Sequence, residues 1–275
     1  MLRRLKRLLR PRAGTRAAYR FHLRYWFHPD AELAAGVLAT QRASRAIQPE
    51  ISEGPDAKRI TVIAPHPDDE VMGPGGTLIR AKAKGHGVDV IFLSDGEVDA
   101  GKAVVRREEA VRVAERFGFS ARFLGLPAYA LSPTPSAIAA LADALNDLEP
   151  EVLMLPFLLD DNDDHRAASL ILAEAAERVR LPRGLEVWAY QVYSALPANV
   201  MVPLGEFAAR KADAIRMYES QAEVRDWAHF ALGLNAYNTR LAPRGVGDPY
   251  LEAFFVIPLG EYLSLCCRFD PKVSH

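Results

Sequence analysis

Cysteine is nearly absent. The 275-residue chain has two, Cys266 and Cys267, and they are adjacent. A bond between neighbours closes a tiny, strained ring, so no disulfide framework is available. The pattern fits a reducing compartment such as the cytoplasm. Two thiols without a second pair also make a weak metal motif. Long apolar runs are missing too. None reaches the roughly 18 residues of a membrane span, and no signal-peptide core follows the basic start MLRRLKRLLR. Acid is missing from the basic start: Met1 to Pro29 carries nine Arg or Lys and no Asp or Glu, although the formal net charge is −1. That total offers no case for nucleic acid. Within the basic segment Leu2, Leu5, Leu8 and Leu9 fall on one helical face among cations. Such a segment is of the kind that rests on anionic lipid, here at the inner face of a membrane. The alternative is a solvated tail, or an arm lying on the acidic body. No internal repeat and no low-complexity linker is present.

What is there is an alternation. Ala31 to Ile47 reads as a helix, and the polar stretch Gln48 to Lys58 as a connection. From Arg59 onward, short apolar runs alternate with amphipathic stretches: RITVIAP, VDVIFLSDG, ARFLGL, EVLMLPF and EVWAYQVY as strands, with helical segments between them. Strands separated by helices imply parallel pairing covered on both faces. After Ser194 the pattern changes to helices and one late strand, YLEAFFVI. The expected fold is therefore α/β: a Rossmann-like, three-layer α/β/α domain with a mostly parallel sheet over residues 59–275. An N-terminal helical extension (1–58) precedes it, and helix and strand elaborate its C-terminal end.

Ligands in such sheets bind beyond the carboxyl ends of the strands. Four loops lie there: PHPDDE after the first strand, SDGE, GLPAY and LLDDNDDH. The glycines of GPGGTL do not hold a phosphate. Leu78 stands where a dinucleotide fingerprint needs its third glycine, and the Gly-Lys-Ser/Thr of a phosphate loop is absent. They serve the tight turn from strand to helix.

Asp68, Asp69 and Glu70 in succession would repel one another at a buried strand end unless a cation compensates. His66 and Asp69 on one turn, with His165 on another loop of the same edge, supply the nitrogen and oxygen ligands of a catalytic zinc site. Other divalent metals use the same donors. Asp68, beside a ligand but free of the metal, is placed to act as general base on attacking water. The competing reading is that PDDE caps a helix and His165 is a solvated loop residue.

The motif APHPDDEVMGPGGTL closely resembles the Ala-His-Pro-Asp-Asp-Glu signature of the PIG-L/LmbE-like deacetylases. VVRREEAVRVAERFGF, NDDH, KADAIRMYESQ and YLEAFFV resemble that family's further motifs in order, so the resemblance spans about Arg59 to Ile257. It implies a zinc-dependent hydrolase that removes an N-acetyl group from an N-acetylglucosamine-type sugar, in a glycan, a lipid-linked glycan or a glycosylated metabolite. It implies His66, Asp69 and His165 as metal ligands, Asp68 as general base and Arg106 as a substrate-binding residue, with Glu109 one helical turn on. For Arg106 the competing reading is a solvated helix face.

Glu70 is expected to serve the helix start or a supporting hydrogen bond. Two positions depart from the family pattern. Asn162 replaces the first histidine of His-x-Asp-His; it can donate a hydrogen bond to an oxyanion but carries no proton at neutral pH. Ala128 replaces an Asp that grips sugar in the family. His86 reads as a helix-ending turn residue, and His229 as a packing histidine or a substitute for the missing acid. Tyr218 and Gln221 read as structural. The rivals are a deacylase of a non-sugar N-acyl amide, a catalytically weakened sugar-binding homologue, and a nucleotide-binding domain. Oligomeric state is not legible.

Overall fold

A computed structural model describes residues 36, 49–242 and 245–270. The basic arm and the helix expected over Ala31 to Ile47 therefore lie outside the described residues, apart from Gly36. In chain order the elements are β1 (Glu50–Ile51), β2 (Arg59–Ala64), α1 (Asp69–Met72), α2 (Gly75–Ala83), β3 (Gly87–Ser94), α3 (Ala100–Phe117), β4 (Ser120–Leu126), α4 (Pro135–Leu148), β5 (Val152–Pro156), α5 (Asp163–Ala176), β6 (Glu186–Tyr190), β7 (Val200–Pro203), α6 (Phe207–Arg216), α7 (Glu219–Ala222), α8 (Trp227–Asn238), β8 (Leu251–Pro258) and α9 (Leu259–Phe269).

Among the described residues, all eight strands form one sheet in the order β1-β7-β8-β6-β5-β2-β3-β4. Strands β6, β5, β2, β3 and β4 run parallel, as the alternation with helices requires. The late strand β8 is antiparallel and lies between β6 and β7. The C-terminal segment is therefore built into the sheet rather than appended to it. β1, from the stretch before Arg59, pairs in parallel with β7.

Alternating residues of each strand feed two cores, one per face. Ile63, Leu153, Leu155, Val187 and Phe255 pack under α4, α5 and α9. Val62, Val90, Met154, Trp188 and Phe254 pack under α2, α3, α6 and α8. This is the three-layer arrangement expected from the sequence. Among the described residues, no helix is long and apolar enough to cross a membrane.

Helix starts follow local chemistry. Asp99, Thr134, Asn162 and Asp226 each accept a hydrogen bond from a backbone N–H in the first turn of α3, α4, α5 and α8. Helix α2 is different, because its N-terminal amides are satisfied from far away. Glu252 on β8 accepts from Gly76 N at 2.8 Å, Thr77 N at 2.9 Å and Thr77 Oγ1 at 2.6 Å. Lys211 Nζ donates to Glu252 at 2.7 Å and to Gly73 O at 2.8 Å, and both side chains are fully buried. The anion position at this helix start is thus occupied by a carboxylate of the chain itself. The glycine at 73 has a steric reason as well: a Cβ there would lie 2.2 Å from the Tyr190 ring.

Candidate metal centre

The loops after β2 and β5 converge at one sheet edge. His66, Asp69 and His165 are buried, and one ligand atom from each lies within 4.8 Å of the others. Asp69 opens α1, and its Oδ2 accepts from the His66 backbone N at 2.9 Å, which closes the turn and brings both side chains to one point. His165 comes from the first turn of α5, one turn past the Asn162 cap.

Each histidine is oriented by a carboxylate on its far side. His66 Nε2 meets Asp164 Oδ2 at 2.9 Å, which leaves Nδ1 facing Asp69 Oδ2 at 3.3 Å. His165 Nδ1 lies 3.1 Å from Asp160 Oδ1, which leaves Nε2 facing Asp69 Oδ1 at 3.2 Å. The contacts of His165 are ion-pair approaches, not aligned hydrogen bonds, and Asp69 Oδ1 is likewise without a hydrogen-bond partner. Buried carboxylate and imidazole atoms left unpartnered face to face carry a desolvation cost of about 1–3 kcal/mol each. A cation between them removes it.

Charge points the same way. Asp68, Asp69, Glu70, Asp160 and Asp164 are all buried around this edge, with Arg106 as the buried guanidinium. Burial opposes charge on His165, yet Asp69 and Asp160 outweigh it and push the ring up to about 10. Burial likewise opposes charge on His66, and Asp164 and Asp69 overcome it. Burial would raise the Asp69 carboxyl, but His165 and His66 hold it far below the usual carboxylate range. Without metal, the imidazoles must carry protons to balance the acids. A dication supplies that charge with neutral imidazoles as ligands, and the carboxylate behind each ring fixes its tautomer. The residues therefore fit a divalent metal of the zinc type.

Asp68 stands next to this cluster in a left-handed backbone conformation, φ 113°. A residue with a Cβ held there stores about 1–3 kcal/mol of strain. Its N–H donates to Glu70 Oε2 at 3.0 Å, and Arg106 Nη2 donates to its Oδ2 at 2.9 Å. Burial pushes the Asp68 carboxyl up to about 6, against the opposing pull of Arg106.

Arg106 is buried rather than solvated, and it also donates to Gly96 O at 2.6 Å and Pro67 O at 2.7 Å. Gly96 in the SDGE loop has φ 75°, and a Cβ there would meet the guanidinium at 2.7 Å. The guanidinium is thus occupied in holding Asp68 and its loop. A groove of about 700 Å³ opens alongside, lined by Glu97, Arg106, Glu109 and Ser220 among others.

The C-terminal segment reaches the same loop. Tyr218 donates to Glu70 Oε1 at 2.5 Å, while Glu70, pushed up to about 8 by burial, supports the Asp68 N–H with its other oxygen. Glu109 accepts from Ser220 N and Oγ at 2.8 and 2.6 Å. Asn162 uses Oδ1 to cap α5, accepting from Asp164 N at 2.8 Å, which directs its Nδ2 away from that bond. Ala128 is buried and contributes no polar group, and its neighbour Tyr129 is exposed beside His66.

His86 ends α2, its N–H donating to Ala81 O. His229 is exposed in the first turn of α8 and is not a packing residue; the short polar cap at Asp226 turns it outward. Sequence reasoning missed Asp160, Asp164 and Tyr193, whose ring stacks on His165 at 5.4 Å. The one available signal was the density of acids in DDNDDH.

Residues 61–176 match the family described as PIG-L, GlcNAc-PI de-N-acetylase. Diacetylchitobiose deacetylase of Thermococcus kodakarensis is 27% identical over 239 residues, covering 77% of this chain and 87% of that protein. 4-Oxalmesaconate hydratase of Pseudomonas putida is 29% identical over 132 residues, 43% of this chain and 51% of that protein. Among solved structures, the conserved protein TT1542 of Thermus thermophilus superposes with a TM-score of 0.63 at 28% identity, covering 71% of this chain and 93% of that one. The matched residues include the β2 turn, α3 with Arg106 and the His165 loop, so the chain carries a PIG-L family domain over residues 61–176.

Proposed function

We propose that the protein is a metal-dependent hydrolase that removes the N-acetyl group from an N-acetylglucosamine-type sugar. The observation that carries this reading is the buried His66, Asp69 and His165 constellation with Asp68 held against it by Arg106. When bound there, a zinc ion supplies Lewis acidity toward an amide carbonyl and lowers the pKa of water. Asp68, as a carboxylate, takes the proton from the attacking water and returns it to the leaving amine, because Asn162 carries no proton to give. Asn162 Nδ2 donates a hydrogen bond to the developing oxyanion. Arg106 positions Asp68 and keeps it ionised, and it reaches the substrate only from the groove side. The products are acetate and a free amino sugar.

The similarity to diacetylchitobiose deacetylase over most of both chains supports the amino-sugar class. A lipid-linked glycan is a larger member of that class. A second reading, addition of water to a carbon–carbon double bond, is favoured by the match to a hydratase over 43% of the chain. Both reactions use an activated water and one carboxylate base. The deciding assay measures acetate and free amine on zinc-loaded protein given N-acetylglucosamine, diacetylchitobiose, an N-acetylglucosaminyl lipid and N-acetyl amino acids. Stoichiometric acetate and amine from a sugar supports the reading. Release only from amino acids, or no acetate with turnover of an unsaturated acid, refutes it.

A further inference from the structure

Tyr129 combines three features that local packing does not explain. Its backbone is left-handed, φ 57°, where glycine is unstrained and a residue with a Cβ is disfavoured by about 1 kcal/mol. Its side chain is 61% exposed, so little burial offsets that strain. And the ring is held at the mouth of the metal centre, 5.8 Å from His66 at an interplanar angle of 30°.

The anchoring is specific. Tyr129 N donates to Asp164 Oδ2 at 2.6 Å, and the same oxygen receives His66 Nε2 at 2.9 Å. One carboxylate therefore fixes both the metal ligand and the ring beside it. Glu97, Arg106 and Asp68 all act electrostatically on the phenol, whose ring centroid lies 5.8 Å from that of His66. Its neighbour Ala128 offers no polar atom to grip a hydroxyl, so this loop presents an aromatic face and no carboxylate.

We propose that Tyr129 is a specificity-determining residue: a platform on which the apolar C–H face of a pyranose ring lies while its N-acyl group points to the metal centre. Aromatic faces carry negative charge and attract polarised C–H groups; edge-to-face aromatic pairs, held by the same attraction, contribute about 0.5–1.5 kcal/mol beyond area burial. The platform rests on the amino-sugar reading above and assigns to this loop the selection of ring-bearing over linear amides.

The test uses full-length, zinc-loaded protein and two variants. Tyr129→Gly removes the ring and suits the backbone; Tyr129→Phe keeps the ring. The probes are N-acetylglucosamine and a linear amide, N-acetylethanolamine. For the sugar, Tyr129→Gly is expected to raise KM about fivefold to tenfold, with kcat within about twofold and melting temperature unchanged or higher. Tyr129→Phe is expected to restore most of the affinity, and the KM for the linear amide is not expected to move. An unchanged sugar KM in Tyr129→Gly, or an equal loss for the linear amide, overturns the platform. If the wild-type protein releases no acetate from any sugar, the deacetylase reading fails instead. Equilibrium binding of N-acetylglucosamine then decides: weakening in Tyr129→Gly supports the platform, while equal affinity or no sugar binding overturns it.

Discussion

Tyr218→Phe removes one atom from a fully buried pair. The phenol donates to Glu70 Oε1 at 2.5 Å, and the phenyl ring stays in place, so no cavity opens. Removal of that hydrogen bond leaves the buried Glu70 Oε1 unpartnered, a desolvation cost of about 1–3 kcal/mol. Glu70 is already pushed up to about 8, so it answers by holding its proton more firmly, which keeps the loss near the lower end. A loss of about 1–2 kcal/mol corresponds to a melting temperature lower by roughly 2–8 °C for a chain of this size.

The kinetic effect travels through the other Glu70 oxygen, which accepts from the strained Asp68 N–H at 3.0 Å. Loosening that anchor displaces Asp68, the proposed general base, and a misplacement of about 1 Å lowers the rate by about 10²-fold. Calorimetry and acetate release on protein of verified metal content are the assays. The expected result is a kcat lower by about 10- to 100-fold with KM and metal content unchanged. A lower melting temperature with unaltered kcat would refute the linkage from Tyr218 to Asp68, and no thermal shift would refute the hydrogen bond.

Other expected outcomes follow from the same geometry. Asp160→Asn and Asp164→Asn each remove the carboxylate behind a histidine, and zinc affinity in a competitive chelator titration is expected to fall about 10- to 100-fold. In Arg106→Met the opposing guanidinium is gone, so the Asp68 carboxyl rises above its value of about 6. Asp68 works as a base only when ionised, so the acid limb of the kcat/KM profile is expected to move to higher pH. A limb that stays in place contradicts the pairing. Lys211→Met strands the buried Glu252 carboxylate, though three other donors still reach it. Denaturant unfolding is expected to register a loss of about 3 kcal/mol, at the low end for a broken buried pair.

The parallel half of the sheet is legible because its strands are short apolar runs set between amphipathic helices. β1 and β7 are not legible, since two or four residues give no period to read. Nor is the insertion of β8 between β6 and β7, which depends on pairing between residues far apart in sequence. At the metal centre, His66, Asp69 and His165 can be picked out because ligand types recur at strand ends. Which acid of DDNDDH backs which histidine depends on where α5 starts, and the Asn162 cap fixes that only in three dimensions. Arg106 reads as one more cation on a charged helix until Pro67, Asp68 and Gly96 close around it. Lys211, Tyr218 and Glu252 act on the metal loop from at least 138 residues away, beyond the reach of local spacing.

The proposed amide hydrolysis requires a dication among His66, Asp69 and His165. Elemental analysis of purified protein, coupled to acetate release before chelation, after chelation and after zinc is restored, tests it most directly. About one equivalent of metal is expected per chain, with acetate release abolished by the chelator, recovered with zinc, and both lost in Asp69→Ala. Acetate release that survives complete metal removal would contradict the account, as would metal binding unaffected by Asp69→Ala.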